Sequence, residues 1–359
     1  MSTPDLTTPA GLASYLAPTK FAASDVQALS GGHAGFTYRV MLKNPEQGGE
    51  TSVVVKHSIG HAAANANWVL SVERMTFEHE ALKAVAASGL FTPESTVQVP
   101  RVLHYDPETH TLIMTDLTPA RTLSTVLIEA HESGTIKDVS TRIGTALGDF
   151  MGRFHHWGSE PAQAGLRARF LQNVTSRETV LQIRYLLMCR TAEKYGMKRE
   201  WMDEMVKDGM ADAEKGGSVI TMADFWFDNI LVSLEPELRV YIVDWETVRC
   251  ARPELDIAHF ATAAHSLVHV YPSPDFALMQ SFIQSYNAHF TLDDVQIALS
   301  GGRDVLSFGV MMPWIRHRED QVKEEIAQCG LELLEAARTK DVEKIRENVV
   351  VRDMYPRAV

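Results

Sequence analysis

The stretch VITMADFWFDNILV, residues 219–232, sets Asp224 directly after one apolar run and Asn229 directly before another. A loop that carries an acid, two aromatics, a second acid and an amide between two buried runs holds polar groups at fixed offsets for a reason. Downstream, NILVSL and RVYIVDWE flank Glu235-Pro236-Glu237 and read as a hairpin, with Asn229 at its start and Asp244 at its end. A hairpin brings its ends together, so the sequence predicts Asn229 near Asp244, with Asp224 beside them. One carboxylate and one amide oxygen suit Mg²⁺, a hard cation that keeps several waters and takes substrate phosphates as further ligands. Asp224, off the metal, is then free to accept a hydrogen bond from an attacking hydroxyl. This is the division of labour in phosphoryl transfer from Mg·ATP. Asp224 is the candidate catalytic residue, and Asn229 and Asp244 are the candidate metal ligands.

Such chemistry also needs an anchor for the nucleotide, and the earlier part of the chain offers one in order. Lys56 closes the β-branched run Val53-Val54-Val55, the place for an ammonium reaching the α- and β-phosphates. A helix follows, and Glu78 on it would fix the ammonium. Glu73 and Glu80 share that helix; the spacing Arg74-x-x-x-Glu78-x-x-x-Leu82, one turn before a core leucine, favours Glu78. Gly31 and Gly32 sit at a turn before a strand, where backbone N–H groups approach phosphate without Cβ obstruction, although a Gly-Gly turn serves a plain hairpin equally well. LIMTDL, residues 112–117, leads from sheet to helices; the backbone of Met114, Thr115 and Asp116 is the expected contact for a purine base. Trp226 and Glu246 are assigned to the acceptor. The aromatic trio Phe225-Trp226-Phe227 serves either as an acceptor wall, where a cationic amine finds cation–π partners, or as core. His155-His156 is read as structural, because adjacent helical residues point apart.

The elements that must position these groups are legible at low resolution. FTYRVMLK (36–43) and TSVVVKHS (51–58) read as paired strands, and residues 65–88 as a six-turn amphipathic helix buried through Trp68, Val72, Met75, His79, Leu82 and Val85. Two further strands surround the turn at 106–109. Val139, Ile143, Leu147, Phe150/Met151 and Phe154 form one face of a core helix, and from Pro253 the pattern is helical nearly to the end. The reading is an α+β chain, with a small sheet-rich lobe over residues 1–116 and a larger helical lobe over 117–359 carrying the inserted hairpin. The net charge of −12 argues against nucleic acid or an anionic membrane surface as partner. Three scattered cysteines, Cys189, Cys250 and Cys329, form neither a disulfide framework nor a metal motif, and with no ~20-residue apolar run they point to the cytoplasm. Nothing in the sequence specifies an oligomer, and a monomer suffices for this chemistry.

The ordered set Gly31-Gly32, Lys56, Glu78, the 114–117 crossing, ADFWFDN, VDWE and ELDIAHF resembles the aminoglycoside phosphotransferase and choline kinase family of small-molecule kinases, over roughly residues 25–290. The resemblance implies a protein-kinase-like two-lobed fold, ATP with Mg²⁺, and transfer of the γ-phosphate to a hydroxyl of a small molecule. It also implies that Asp256, in PELDIAHF, buttresses the catalytic loop. One departure stands out: the family loop begins His-Gly-Asp, whereas here it is Met222-Ala223-Asp224, and methionine fills volume without donating a hydrogen bond. The Met-Ala-Asp-x-Trp form resembles the fungal 4-hydroxytryptamine kinases more than the resistance enzymes, with S-methyl-5-thioribose kinases more distant. The acceptor is therefore expected to be a small amine-bearing hydroxyl compound, the alternative being a thioribose or aminoglycoside sugar. A nucleotide-binding pseudokinase is the reading from another class.

Overall fold

The computed structural model describes residues 4–29, 34–45, 48–178 and 183–355. The chain divides into two compact units, Met1–Gly89 with Val99–Pro119 and Val243–Thr247, and Leu90–Gln98 with Ala120–Ile242 and Val248–Val359. The boundary expected at 116/117 falls just before Pro119, but a linear cut omits two exchanges. The short segment 243–247, which carries Asp244 and Glu246, belongs with the first unit, and 90–98 with the second.

The first unit is built on a five-stranded antiparallel sheet in the order Ala23–Ala28, Phe36–Leu42, Ser52–His57, Thr111–Thr115, Val102–Asp106. Period-two alternation in Ser52–His57 turns Val53 and Val55 into the core and places Lys56 on the opposite face. A helix that the sequence reading does not contain, Pro9–Leu16, covers the core face with Leu12 and Leu16. Thr8 caps it by accepting from the Gly11 N–H at 3.1 Å, with Pro9 at the first helical position.

The helix expected over 65–88 is shorter. Asn65–Val69 is a strand paired with His61–Ala62, and the helix runs only over Arg74–Ala87. Trp68 and Val72 fall on a helical period by coincidence, while Asn65 and Asn67 are poor helix formers and the Leu70 N–H closes the hairpin on the Gly60 carbonyl at 3.1 Å. Met75, Leu82 and Val85 are buried as expected, whereas His79 is half-buried and stacks on Tyr105. Arg74 and Glu78, one turn apart, are wholly buried on this helix.

The second unit is helical around Ile136–Ser159, whose predicted face of Val139, Ile143, Leu147, Phe150, Met151 and Phe154 is buried throughout. The helix Leu278–Tyr286 lies against it backbone to backbone. A Cβ at Gly148 would stand 2.0 Å from the Phe282 carbonyl oxygen, and one at Gly144 2.4 Å from that of Leu278, so only glycine admits this approach. The predicted hairpin is Ile230–Ser233 with Arg239–Ile242, in the register Ile230↔Ile242. It is extended by Arg121–Thr122 on one edge and by a parallel Val97–Gln98 on the other. Val219–Thr221 pairs with Arg249–Ala251, and the helices Glu254–Val270, Asp294–Ser307 and Asp320–Thr339 complete the unit. A sheet-rich unit and a helical unit make the expected α+β architecture. Among the described residues no helix is long and apolar enough to cross a membrane.

Candidate active site

In the first unit the ammonium of Lys56 lies 2.6 Å from Glu78 Oε1 and 2.6 Å from Asp244 Oδ1. Of the three helix acids weighed from sequence, the structure therefore pairs Glu78 with Lys56. Glu73 stands at the exposed start of the helix, and Glu80 is half-buried. Glu78 Oε1 also accepts from the Trp245 N–H at 3.4 Å. Burial alone would pull the Lys56 ammonium down, but Asp244, Glu78 and Glu246 outweigh it and hold the charge well above the ordinary lysine range.

Glu246 belongs to the same group. Its carboxylate is 3.3 Å from Arg74 Nε, and oxygens of Glu78, Asp244 and Glu246 lie within 4.8 Å of one another. Burial and then the adjacent Asp244 push the Glu246 carboxyl up to about 8, against the pull of Arg74 and Lys56. Glu78, Asp244 and Glu246 thus gather hard oxygen donors at one place, with Asp244 the most open at 36% side-chain exposure. That donor set suits Mg²⁺. Asp244 also has φ +67, a left-handed conformation that an aspartate tolerates at some cost.

The residues expected at the purine are placed on the sheet. Met114 and Thr115 lie on a strand paired along both edges, and the Thr115 N–H is spent on the Arg101 carbonyl at 3.0 Å. The Asp116 carboxylate accepts from Arg39 Nε at 2.8 Å, Ser52 Oγ at 2.8 Å and the Thr118 N–H at 3.1 Å. Burial raises its carboxyl, but these donors together hold it below the usual range. Gly31 and Gly32 lie outside the described residues.

In the second unit, Asp224 follows Ala223, a non-glycine residue at φ +65. The turn is held from beneath: Asp256, fully buried, accepts from the Met222 N–H at 2.9 Å and the Ala223 N–H at 2.7 Å. Asp256 also faces His155 Nε2 at 3.1 Å, and His155 Nδ1 meets the Tyr286 hydroxyl at 2.8 Å. His155 is thus a buried brace, in keeping with its structural reading, and the adjacent His156 is exposed. The Asn229 amide spends its hydrogens on Asp224 Oδ2 at 2.8 Å and on the Asp224 carbonyl at 3.0 Å, which leaves Oδ1 as the end able to meet a cation. Asn229 immediately precedes Ile230, whose register partner is Ile242, two residues before Asp244.

Four residues around Asp224 were not singled out from sequence. His259 Nε2 is 3.6 Å from Asp224 Oδ1. Its Nδ1 is 3.3 Å from Asp304 Oδ2, and Asp304 is paired with Arg184 and, at 2.8 Å, with Arg303. Arg184 Nη2 donates to the Ala223 carbonyl at 2.8 Å. Burial would raise the Asp224 carboxyl, but His259, Arg184 and Asn229 more than offset it and keep the group below its ordinary range. A signal existed: His259 stands three residues after Asp256 on a helix, and RYLL and GGRDVL embed charges in apolar surroundings. Of the aromatic trio, Phe225 and Phe227 are wholly buried against Phe260, as core, and Trp226 alone is part-exposed, its ring 6.5 Å from that of His259.

The model of the phosphotransferase enzyme family matches residues 25–287. A 4-hydroxytryptamine kinase of Psilocybe cubensis is 32% identical over 295 residues, covering 79% of this chain and 80% of that protein. Another, of Psilocybe cyanescens, is 28% identical over 347 residues, 93% and 94% of the two chains. Among solved structures, the choline kinase LicA of Streptococcus pneumoniae superposes with a TM-score of 0.52 at 14% identity, over 90% of this chain and 98% of that one. The aminoglycoside phosphotransferase APH(2'')-Ib with ADP bound gives 0.51 at 15% identity, over 89% and 97%; both show the fold. The chain belongs to the phosphotransferase enzyme family and is, with it, an ATP-dependent kinase acting on a hydroxyl of a small molecule.

Proposed function

We propose that the acceptor is a hydroxylated aromatic amine of the 4-hydroxytryptamine kind, and that Asp224 receives its proton as phosphate is transferred. The two relatives of that name, matched over most of their length, support the acceptor. Trp226 supports it too, as a part-exposed ring suited to an aromatic cation. The observation that carries the mechanism is the state of Asp224: a carboxylate kept ionised by its neighbours, with 32% of its side chain still open. A weakly basic carboxylate of this kind orients the hydroxyl and takes its proton late, as a loose phosphoryl transfer requires. Lys56, fixed by Glu78, neutralises charge on the α- and β-phosphates. Magnesium would supply electrostatic stabilisation of the β- and γ-phosphates, with Asp244 and Asn229 the proposed oxygen ligands. Gly31 and Gly32 remain the proposed contacts of nucleotide phosphate; of the 114–116 stretch, Met114 and Thr115 are taken up by the sheet, and the backbone from Asp116 onward is the proposed contact of the base.

The test is ADP release with mass detection of the product on 4-hydroxytryptamine, choline, methylthioribose and an aminoglycoside. The highest kcat/KM is expected for 4-hydroxytryptamine. A higher value for a sugar or for choline would overturn the acceptor, and no phosphorylated product from any of them would overturn the reaction.

A further inference from the structure

The Met222-Ala223-Asp224 loop gives the Asp224 side chain one donor of its own, the Asn229 amide on Oδ2. The other oxygen, Oδ1, faces His259 Nε2 at 3.6 Å, and this histidine is almost wholly buried. Its ring is not there by default. Asp304 stands 3.3 Å from Nδ1, Phe308 packs edge-on with ring centroids 5.2 Å apart, and the Trp226 ring lies on another side. Asp304 is itself fully buried and is matched by two arginines, Arg184 and Arg303. Arg184 then reaches the Ala223 carbonyl at 2.8 Å, so the same cluster grips the backbone just before Asp224 as well as its side chain.

A buried Asp–Arg pair made only for stability would not need an imidazole set between it and the part-open carboxylate of Asp224. The carboxylate behind the ring sets which way it faces, with Nδ1 toward Asp304 and Nε2 toward Asp224. The two arginines balance Asp304, which allows the ring to spend its own polarity on Asp224. With Asn229 on one oxygen and His259 at the other, rotation of the Asp224 carboxylate is restricted, and its remaining lone pairs keep one direction.

We propose that His259 is a positioning residue for Asp224, set by Asp304 and its two arginines. The proposal rests on the reading of Asp224 as the group that receives the acceptor's proton. His259→Leu is expected to lower kcat on the order of a hundredfold, the loss that follows small misplacement of a reacting group, while KM for ATP stays within about twofold. His259→Gln, which keeps an N–H donor at the end of the side chain, is expected to recover about tenfold of that loss. In the Asp224→Asn background, His259→Leu should cost little more, because residues acting as one unit are not additive. An equal cost in both backgrounds, or no recovery by glutamine with melting temperature lost in proportion, would overturn the proposal.

A second measurement does not depend on turnover. Imidazole ¹⁵N shifts of His259, read on the nucleotide-free protein, should move when Asp224 becomes Asn. Unchanged shifts would show that the ring does not address Asp224, and would overturn the positioning role even with a fully active enzyme. Conversely, wild type that makes no phosphorylated product removes the assigned reaction, while the ¹⁵N shifts still decide the His259–Asp224 contact on their own.

Discussion

Replacing Asp256 by asparagine tests the support of the catalytic loop at a point where the cost follows from geometry. Asp256 Oδ1 accepts from the Ala223 N–H, and Oδ2 accepts from the Met222 N–H and faces His155 Nε2. An amide has one oxygen where the carboxylate has two. His155 decides which way it turns: the ring can exchange tautomers, accept from the new amide on Nε2 and donate from Nδ1 to the Tyr286 oxygen. The amide nitrogen then takes the Oδ2 place, and the Met222 N–H is left facing a donor in a fully buried site. A lost hydrogen bond to a charged acceptor costs about 1.5–3 kcal/mol, and a stranded N–H adds to that, so about 2–4 kcal/mol is expected. The measurement is urea unfolding followed by far-ultraviolet circular dichroism. With a slope of about 3 kcal/mol/M the midpoint should fall by roughly 1 M. Turnover should fall as well, because Ala223 is held at φ +65 against a strain of about 1–3 kcal/mol that the weakened support resists less well. KM for ATP should not move. An unchanged midpoint together with unchanged turnover would refute the reasoning, since it would mean that the two Asp256 hydrogen bonds contribute nothing to holding the loop.

Four further outcomes follow from the same contacts. Lys56→Met should lower turnover by orders of magnitude and destabilise by about 3–5 kcal/mol, because it strands the buried Glu78 carboxylate; adding Glu78→Gln should recover part of the stability and none of the activity, and full additivity of the two in a denaturation cycle would count against the pair. Asp224→Asn should bind Mg·ATP much as wild type does and lose turnover by about 10²–10⁴, whereas Asn229→Ala should also weaken metal-dependent nucleotide binding in a titration of Mg²⁺ at fixed ATP; identical binding defects in the two variants would contradict the division of roles. For Asp304, burial raises the carboxyl but Arg184, Arg303 and His259 outweigh it and depress it. A depressed folded value gives stability that is present above the unfolded value of about 3.9 and lost as pH falls through the folded one. Asp304→Asn should therefore still be about 3–5 kcal/mol less stable than wild type at pH 5, with the gap closing only below about 3.9; a gap already closed at pH 5 would place the ion cluster elsewhere. Gly148→Ala should cost about 1–3 kcal/mol by pushing the Leu278–Tyr286 helix away, and an unshifted melting temperature would mean that the helices are not in backbone contact.

What the sequence disclosed about the site was what local pattern can encode. Lys56 was legible because period-two alternation in a β-branched strand states which face each residue takes, and Glu78 because a helix places residues 74, 78 and 82 in one row. The hairpin was legible from two apolar runs about a short turn, and the Ile230↔Ile242 register follows from it. The Asn65–Val69 strand was not, since a few apolar residues match a helical period by chance in so short a stretch. The pairing of Glu246, a residue assigned to the acceptor, with Arg74 was not legible, since nothing local shows that a glutamate after a tryptophan will meet a buried arginine on a helix. Arg184, His259 and Asp304 share that difficulty: a charge in apolar surroundings flags each of them, but their contacts join separate helices and no local pattern names the partner.

The left-handed residues sharpen the point. Sequence reading looks for glycine where the backbone must take positive φ, yet the turn before Asp224 is made by an alanine at +65 and the loop after the hairpin by Asp244 itself at +67. Each conformation is held by groups specific to it: Asp256 and Arg184 on the N–H and carbonyl of Ala223, and Lys56 on the Asp244 carboxylate. A glycine at 223 would relieve strain and also free the loop, in the folded and the unfolded chain alike. Alanine confines the loop to fewer shapes, and the buried hydrogen bonds choose among them. The rigidity of the Asp224 loop is therefore a property of Asp256, His155, Arg184 and Asp304, residues from four different places in the chain. A sequence motif of three residues records the loop but not what makes it stiff.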